Sequence, residues 1–580
     1  MKKIMYSKTL PIFAFLFAFL SCTNLEEEIL DESLTGTGQA EIVSGSIAPA
    51  YGLLRNVWLH TRNFGLQEIA SDEAILPYRG GRDWFDGGKF IAVHQHLATP
   101  GNALVGDTWT DLTLTLSRAV AAEERLKQEG SGNAEAQGAL YEMIAMKAYL
   151  NMQLLDNWGL VFKKLSSDQR SIILRGQEAI DYIESDLLSV VNVINSDKGP
   201  GRFSKNAVKA LLARLYLNAA VYRNPYGTPE FKPADMQNVI KYTNEIIAEP
   251  YSLSPEYFAV FNDNNNSNRE VIFSLDQRGV LQSEHSRWAY WSISGDLVPR
   301  PEWPNTRGTD AGALTPDFYQ TWVDAYGNVD PAIADARFFQ ENTIVPENLK
   351  NLTGITPAND SEHYFCVDAK SFQINRGILR GNIWGPRKDA AGNILRCADG
   401  KVRIYPVINA RTSGANRAYV NHLLQVDFTD QGSLHHTGHR FSKYQFSSTA
   451  PDCCNFSSVD IVLIRLGEIY LMRAEAKLRV GDNAGALADV NTLRTSRNAR
   501  PTQTPAALSS INLDILFRES GFELYWEGLR RNYQIRFGKY EGSWTGKTGS
   551  DVNKRLFPIP QKAIDGASNL AGFLSQNPGY

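Results

Sequence analysis

Two stretches of the sequence bring aromatic rings and planar hydrogen-bonding groups together at short spacing. The first, residues 66–90, contains Asp72, Arg79, Asp83 and Trp84. The second, residues 285–308, contains Arg287, Trp288, Tyr290, Trp291 and Trp303, with Asp296 and Arg307 among them. The C–H faces of a sugar ring stack on tryptophan or tyrosine, and carboxylate and guanidinium groups pair with its hydroxyls. The two stretches therefore predict a ligand-binding site for a carbohydrate.

The second stretch cannot form one continuous aromatic platform if it is a strand. Strand alternation would place Trp288 and Tyr290 on one face and Trp291 on the other. Core packing is the alternative role for each tryptophan. We expect that role for Trp109 and Trp526, which lie in helical segments, and equally for Trp158.

Motifs of catalysis and cofactor binding are absent from the sequence. It contains no GxSxG, HExxH or dinucleotide fingerprint, and GSWTGKT at Gly542–Thr548 has three residues between its glycines where a phosphate loop has four. His435, His436 and His439 lie on an undefined loop, where solvated histidines are more common than metal ligands. We therefore expect a binding protein that has no cofactor, no metal and no enzymatic activity.

Length and charge narrow the class of protein further. A chain of 580 residues exceeds one ordinary core and permits two or more lobes. Its 59 Lys and Arg against 63 Asp and Glu give a net charge of −4, so no basic excess favours a nucleic-acid partner.

The first 21 residues are predicted to be a lipoprotein signal peptide. Lysines precede the apolar run LPIFAFLFAFL, which is too short for a stop-transfer helix, and Ser21-Cys22 follows. Cleavage before Cys22 and acylation of its thiol would anchor the protein to a membrane, with residues 22–40 as the tether. Ordinary secretion is the alternative. The acidic run Glu26–Glu28 is either a surface-export signal or a solvated linker.

Four cysteines remain after lipidation, namely Cys366, Cys397, Cys453 and Cys454. Their spacing matches no metal knuckle, and an oxidising exterior permits disulfides. Cys453 and Cys454 could bridge each other or pair separately with the other two, so the pairing stays open.

Helical periodicity is clearest between Ile461 and Asn498. Apolar residues at i, i+3 and i+4 spacing predict one helix from the start of this segment, which Gly481 would end. Asp482 or Asn483 would cap a second helix that packs back on the first. Similar Tyr-Leu pairs among alanines at Tyr149-Leu150 and Tyr216-Leu217 indicate repeats of the tetratricopeptide class.

The same patterns divide the chain. We predict helices at Ser46–Arg62, Asp107–Lys127, Ala134–Asp156, Gln177–Val193, Ser204–Tyr222, Pro233–Ile247 and Leu513–Phe537. Residues 41–250 form an N-terminal helical region, residues 251–457 an irregular ligand-binding lobe with short strands such as EVIFSL and KVRIYPV, and residues 458–580 a C-terminal helical region. The predicted fold class is mainly α, with an irregular lobe.

Several ordered motifs together resemble one known family. They are Ser21-Cys22, SDEAILPYRG, GRFSKNAVKALLARLYLNAA, NREVIFSL, IRLGEIYLMRAEAKL with VNTLR, RESGFELYWEGLRR, LFPIP and QNPGY. Over nearly the whole mature chain these resemble the SusD/RagB family of outer-membrane glycan-binding lipoproteins. Arg518-Glu519-Ser520 departs from the Glu-Arg that is usual in the family, and Phe19 and Leu20 are bulky for a lipobox.

The resemblance implies fold, partner and location. It implies about four tetratricopeptide-like helix pairs and an irregular lobe that holds the ligand site, and it favours Asp72, Arg79 and Trp84 as ligand-facing residues. It also implies a lipid-anchored outer-membrane protein that faces the cell exterior, binds oligo- or polysaccharide and delivers it to a SusC-like TonB-dependent barrel. Peptide or glycoprotein binding is the alternative, and a surface glycan-degrading enzyme is a more distant one.

Overall fold

The computed structural model describes residues 39–79, 84–129, 133–164, 166, 168–196, 199–277, 288–350, 355–426, 434, 436–451, 457–570 and 572–580. The predicted signal peptide, most of the tether, Cys22, Asp83, Arg287, His435, Cys453 and Cys454 lie outside the described residues. Among the described residues, no helix is long and apolar enough to cross a membrane.

Among the described residues, four helix pairs form the scaffold, as predicted. The helices are α1 Gln39–Val57, α2 Asn63–Ile69, α3 Lys89–His94, α4 Ala103–Gln128, α5 Ala134–Trp158, α6 Gly176–Val190, α7 Lys205–Arg223, α8 Pro233–Ile247, α9 Pro316–Tyr326, α10 Pro331–Ala334, α11 Glu347–Lys350, α12 Leu466–Arg479, α13 Asn483–Ser496, α14 Leu513–Leu524, α15 Arg530–Arg536 and α16 Gln561–Gly566. The pairs are α1 with α4, α5 with α6, α7 with α8, and α12 with α13, each packed on the next.

Local chemistry determines where these helices begin and end. Asn102 caps α4 and Asn133 caps α5 by accepting from free N–H groups of the first turn. Ser204 caps α7 by accepting from the Ala207 N–H, as predicted. The α5 helix ends at Gly159, whose φ of 68° is a left-handed conformation that a glycine adopts without strain.

The hairpin at residues 461–498 is confirmed except at its start. Gly481 follows α12 with φ 87°, and the Asp482 side chain accepts from the Gly485 N–H to cap α13. Residues Ile461–Arg465, predicted as the first helical turns, form a strand instead. Their β-branched side chains are all buried, and the strand pairs with residues 271–275 across the molecule.

The predicted helix at residues 513–537 is broken in the middle. It comprises α14 and α15, separated by a turn at which Trp526 has φ 57°. The Trp526 N–H donates to Glu73 at 2.5 Å, and the indole N–H donates to the Trp288 carbonyl at 2.8 Å. Tertiary hydrogen bonds therefore outweigh the helical preference of this segment.

Short antiparallel strands hold the irregular lobe together. They are β1 Ala74–Ile75, β2 Val161–Lys163, β3 Ile172–Leu174, β4 Val271–Leu275, β5 Ala313–Leu314, β6 Phe339–Gln340, β7 Phe365–Val367, β8 Arg376–Leu379, β9 Gly381–Asn382, β10 Trp384–Pro386, β11 Val402–Pro406, β12 Asn421–His422, β13 Arg440–Ser442 and β14 Ile461–Arg465. The strand orders are β1-β5, β2-β3, β14-β4, β12-β9, β13-β8-β6 and β10-β11-β7. A disulfide joins Cys366 to Cys397, which settles the pairing of these two cysteines.

A buried network of ion pairs connects the lobe to the scaffold. Arg465 at the end of β14 donates to Glu270, Glu523 and Glu527 at 2.7 to 2.9 Å. Arg497 also pairs with Glu270, at 2.7 Å, and with Glu523. Because every charge in the network has a partner, the desolvation of these side chains is offset.

Candidate functional site

Charged side chains of the first predicted stretch, residues 66–90, hold it in place by hydrogen bonds to neighbouring segments. Arg79 is buried, and its guanidinium donates to the carbonyls of Ala311, Leu434 and Thr437 at 2.8 to 3.4 Å. A buried guanidinium that satisfies three carbonyls has little capacity to bind a ligand. Contrary to the prediction, Arg79 fixes the positions of three loop segments instead of facing ligand.

Asp72 has a comparable role. Its carboxylate accepts two hydrogen bonds from Arg530 in α15, at 2.7 and 2.9 Å, and its carbonyl accepts from the Thr315 hydroxyl. This forked pair engages both carboxylate oxygens. Asp72 therefore anchors the loop to the scaffold, and this geometry does not support ligand contact by its carboxylate.

Trp84 lies at the edge of the core. Its indole N–H donates to the Thr309 carbonyl at 3.1 Å, and its ring meets His60 edge-on with ring centroids 5.1 Å apart. The side chain is half-buried. The neighbouring Phe85 is 43% exposed and packs against Tyr78 with ring centroids 4.6 Å apart. Rings of this loop are therefore accessible, but Phe85, which the sequence analysis did not single out, is more exposed than Trp84.

Three predicted stacking residues are in the hydrophobic core. Trp288, Tyr290 and Trp291 are each at most 1% exposed. Trp288 stacks on Phe64 at 3.7 Å between ring centroids, and its indole N–H donates to the Trp58 carbonyl. The prediction that these rings face ligand is corrected, because residues 288–293 form turns instead of a strand. Without strand alternation, all three rings point inward.

The expected core tryptophans are confirmed as core residues. Trp158 and Trp526 are fully buried, and Trp109 is 7% exposed. Trp109 meets Trp158 edge-on with centroids 5.0 Å apart.

Trp303 is the predicted aromatic residue that retains an open ring. It is 37% exposed, and its indole N–H donates to the Ser448 carbonyl at 2.9 Å. Backbone hydrogen bonds from Trp303 to Arg300 and from Thr306 to Trp303 hold the turn around it. A ring that is fixed at its N–H and open at its face suits stacking on a sugar.

A groove of about 310 Å³ lies beside this turn. Its lining residues are Gly295, Asp296, Val298, Pro304, Asn305, Thr306, Arg307, Gly385, Pro386, Arg387, Lys388, Pro406, Val407, Ile408 and Ala410. Asp296 and Arg307 belong to the second predicted stretch. The other wall consists of β10, β11 and the residues that follow them.

Close backbone approaches shape both walls of the groove. A Cβ on Gly308 would lie 2.0 Å from the Ile293 carbonyl oxygen, so only glycine fits there. A Cβ on Gly385 would lie 2.5 Å from Leu297 Cδ1, across the base of the groove. The Asp310 carboxylate accepts from the Gly295 N–H at 2.9 Å and holds the first wall in place.

The charged groups of the groove fall into two classes. Arg387 is paired with Asp360 at 2.9 Å and stacks over the Tyr405 ring at 4.0 Å, and Asp296 accepts from the Ala410 N–H at 3.2 Å. Arg307 is exposed and Lys388 is half-buried. Partial burial and the charge of Arg307 lower the pKa of Lys388. Both cations line the same groove.

The accessible rings and the groove are joined by one segment. Trp84 donates to the carbonyl of Thr309, two residues from Arg307 in the groove. Two residues of extended chain span at most about 7 Å. The Trp84 loop and the Trp303 turn therefore lie near opposite ends of residues 303–309. The sequence analysis missed the β10–β11 wall, for which the turn-rich RKDAAGN was the available signal.

Potential metal ligands do not cluster among the described residues. In that part of the chain, no group of three or more His, Cys, Asp or Glu is arranged to hold a metal ion. His439 is buried, its Nδ1 is 2.9 Å from the His422 carbonyl, and burial lowers its pKa to about 4.

Comparisons with known proteins show which family this chain is similar to. The model of the SusD family matches residues 432–580. The starch-binding protein SusD of Bacteroides thetaiotaomicron is 26% identical over 471 residues, which cover 78% of this chain and 74% of that protein. By sequence, the chain is therefore similar to SusD over most of its length. The SusD-like protein P25 of Formosa agariphila is 22% identical over 82% of this chain and 80% of its own length.

Solved structures of glycan-binding proteins share the fold of this chain. A laminarin-binding SusD-like protein is 16% identical with a TM-score of 0.61, covering 93% of this chain and 99% of its own. The surface glycan-binding protein A from Bacteroides thetaiotaomicron is 17% identical with a TM-score of 0.63, covering 93% and 98%. The same-named protein in complex with laminarihexaose is 18% identical, has a TM-score of 0.59 and covers 93% and 99%.

Proposed function

We propose that this SusD-like protein binds an oligosaccharide at the cell surface without cleaving it, in the groove beside Trp303. The observation that carries the proposal is a partly exposed indole, fixed by a hydrogen bond, next in sequence to Pro304 of a groove lined by planar polar groups. Phe85 and Trp84, at the other end of residues 303–309, offer further rings for a longer chain.

The relatives support a binding role. Four of those reported above are named for binding starch, laminarin or surface glycans, and one of these was solved with laminarihexaose. The groove geometry supports the same role, because two or three rings with exchangeable hydrogen bonds provide modest affinity that increases with chain length.

We propose that binding of the oligosaccharide is a step in its uptake by the cell. Acylation of Cys22 would hold the protein on the outer membrane, facing the exterior, and a SusC-like TonB-dependent barrel would receive the oligosaccharide. Similarity to SusD and the Ser21-Cys22 sequence support this step. Affinity purification of the lipidated protein from its native outer membrane tests it. Recovery of a TonB-dependent barrel is expected, and its absence with wild-type acylation would contradict delivery.

A glycan array followed by isothermal titration calorimetry tests binding itself. One ring contributes about 0.5–1.5 kcal/mol beyond burial, so Trp303→Ala should weaken binding by about 3- to 10-fold, while Trp303→Phe should retain most of the affinity. Leu97→Ala, which removes an exposed apolar side chain from the 95–98 loop, is the matched control.

Other outcomes would assign a different role. New reducing ends in the bound glycan would indicate an enzyme. Binding to a peptide or glycoprotein panel with no free glycan bound would replace the carbohydrate ligand.

A further inference from the structure

We propose that the groove selects an anionic glycan, with a carboxylate or sulfate on a sugar ring held between Arg307 and Lys388. This inference rests on the proposed function and names the chemical class of its ligand.

The first argument is the state of these two cations. Both line the groove, and neither has an ion pair or a side-chain hydrogen bond among the described residues. The neighbouring Arg387 is instead neutralised by Asp360. The groove therefore has two positive charges to which the described residues supply no counter-ion.

The second argument is electrostatic. Partial burial, and then the positive charge of Arg307, lower the pKa of Lys388. An anion placed between the two cations would remove the repulsion and gain attraction to both. A neutral hydroxyl would do neither, so the arrangement discriminates by ligand charge.

The third argument is the geometry of the donors. A guanidinium presents a planar fork that matches both carboxylate and sulfate oxygens, and an ammonium adds a mobile point charge. The Asp296 carboxylate, which would repel an anion, accepts from the Ala410 N–H at the side of the groove. Trp303 at the rim can stack on the same sugar ring whose anionic group enters the groove.

Calorimetry with matched probes tests the proposal. Hexagalacturonate is compared with the fully methyl-esterified hexamer, which removes only the charge, and a dextran sulfate oligosaccharide is compared with dextran of equal length. At 50 mM NaCl we expect at least one anionic probe to bind about tenfold or more tightly than its neutral match, and its affinity to fall at 300 mM NaCl. The two comparisons distinguish carboxylate from sulfate.

Charge-matched variants test whether Arg307 and Lys388 cause the preference for the anionic probe. Arg307→Gln with Lys388→Gln should abolish the preference for the anionic probe. Arg118→Gln with Lys562→Gln removes the same charge from exposed positions outside the groove and should preserve it. Equal binding of charged and neutral probes, or a preference that survives in the groove variant, would overturn the proposal while leaving glycan capture intact. Failure of every glycan to bind would overturn both.

Discussion

At the scale of single residues, burial separates side chains of identical type. Trp291 and Trp303 are twelve positions apart; Trp291 is fully buried, whereas Trp303 is 37% exposed. The sequence identified both as candidates for stacking on a ligand. It could not separate them, because the turn at 288–293 that points Trp291 inward is fixed by contacts with distant segments such as Phe64 and Phe90.

These two tryptophans should respond to truncation in opposite ways. Trp291→Ala should reduce the free energy of unfolding by about 3–5 kcal/mol and leave the glycan affinity of the folded protein unchanged. Trp303→Ala should change stability by less than about 1 kcal/mol and weaken binding. Urea denaturation and calorimetry on both variants measure the two effects. Weakened binding in a folded Trp291→Ala protein would contradict the assignment of that ring to the core.

A buried carboxyl pair makes a prediction about pH. Burial, and then the adjacent Glu68, raise the pKa of Glu73 well above its ordinary value. A raised pKa in the folded state contributes stability below about pH 4.3, which is lost as the pH rises. Glu73→Gln stays neutral and can still accept from the Trp526 N–H. We expect the free energy of unfolding of this variant to exceed that of wild type by on the order of 1 kcal/mol at pH 8 and to equal it at pH 4. An equal change in stability at both pH values would show that folding does not raise the pKa of Glu73.

At the scale of elements, local signals predicted the helices and missed the breaks. Caps and i, i+4 spacing placed five helices of the first half within a few residues of their observed ends, whereas α1 begins and ends earlier than predicted. Residues 461–465 and 525–529 departed from the helical pattern because their partners, β4 and Glu73, come from distant parts of the chain. Such long-range pairing leaves no periodic trace in the sequence.

The Ser204 cap offers a small test of the local signals. Ser204→Ala removes the hydrogen bond from the Ala207 N–H and should reduce the free energy of unfolding by about 1 kcal/mol. Ser204→Thr keeps the hydroxyl and should restore most of it. Urea denaturation curves compare the three proteins, and equal stability of Ser204→Ala and wild type would argue against the cap.

The buried ion-pair network should be a major determinant of stability. Burial alone would raise the pKa of Glu523, but Arg497, Arg465 and Arg337 outweigh it and hold the pKa below its ordinary value. Stability from Glu523 is therefore present above about pH 4.3 and lost as the pH falls.

Glu523→Gln leaves arginines partly unpaired and should reduce the free energy of unfolding by about 3–5 kcal/mol at pH 7. At pH 3 the difference from wild type should be smaller. The exposed Glu230→Gln serves as control. Chemical denaturation at both pH values measures this difference. A loss that does not depend on pH would contradict the electrostatic explanation.

At the scale of the whole molecule, the groove is assembled from separate parts of the chain. Residues 295–307, 385–388 and 406–410 form its walls. Motifs predicted the family and the general type of ligand, but no pattern in the sequence indicates that a hairpin near residue 387 faces Arg307. The proposed division at residues 250 and 457 stays a prediction. Strand β4 of the lobe pairs with β14 of the C-terminal region, across the second of these boundaries.

The disulfide should stabilise one wall of this groove. It closes a loop between cysteines separated by 31 positions, and that loop contains Arg387 and Lys388. By restricting the unfolded chain, a disulfide that closes a loop of this length should stabilise the protein by about 3–4 kcal/mol. Cys366→Ala with Cys397→Ala should reduce stability by up to that amount and weaken glycan binding through a looser wall. Hydrogen exchange should report faster opening of residues 384–406, and unchanged exchange there would contradict this role.

The position of bound glycan would show whether capture takes place in this groove. A crystal structure of the protein with the best-binding oligosaccharide from the array is predicted to show an intact chain in the groove. One sugar ring should lie against the open face of Trp303, and polar groups of the sugar should lie within hydrogen-bonding distance of Arg307 or Lys388. Density for the ligand on the helical scaffold, away from residues 303–309, or a cleaved product, would contradict the proposal of non-catalytic capture in this groove.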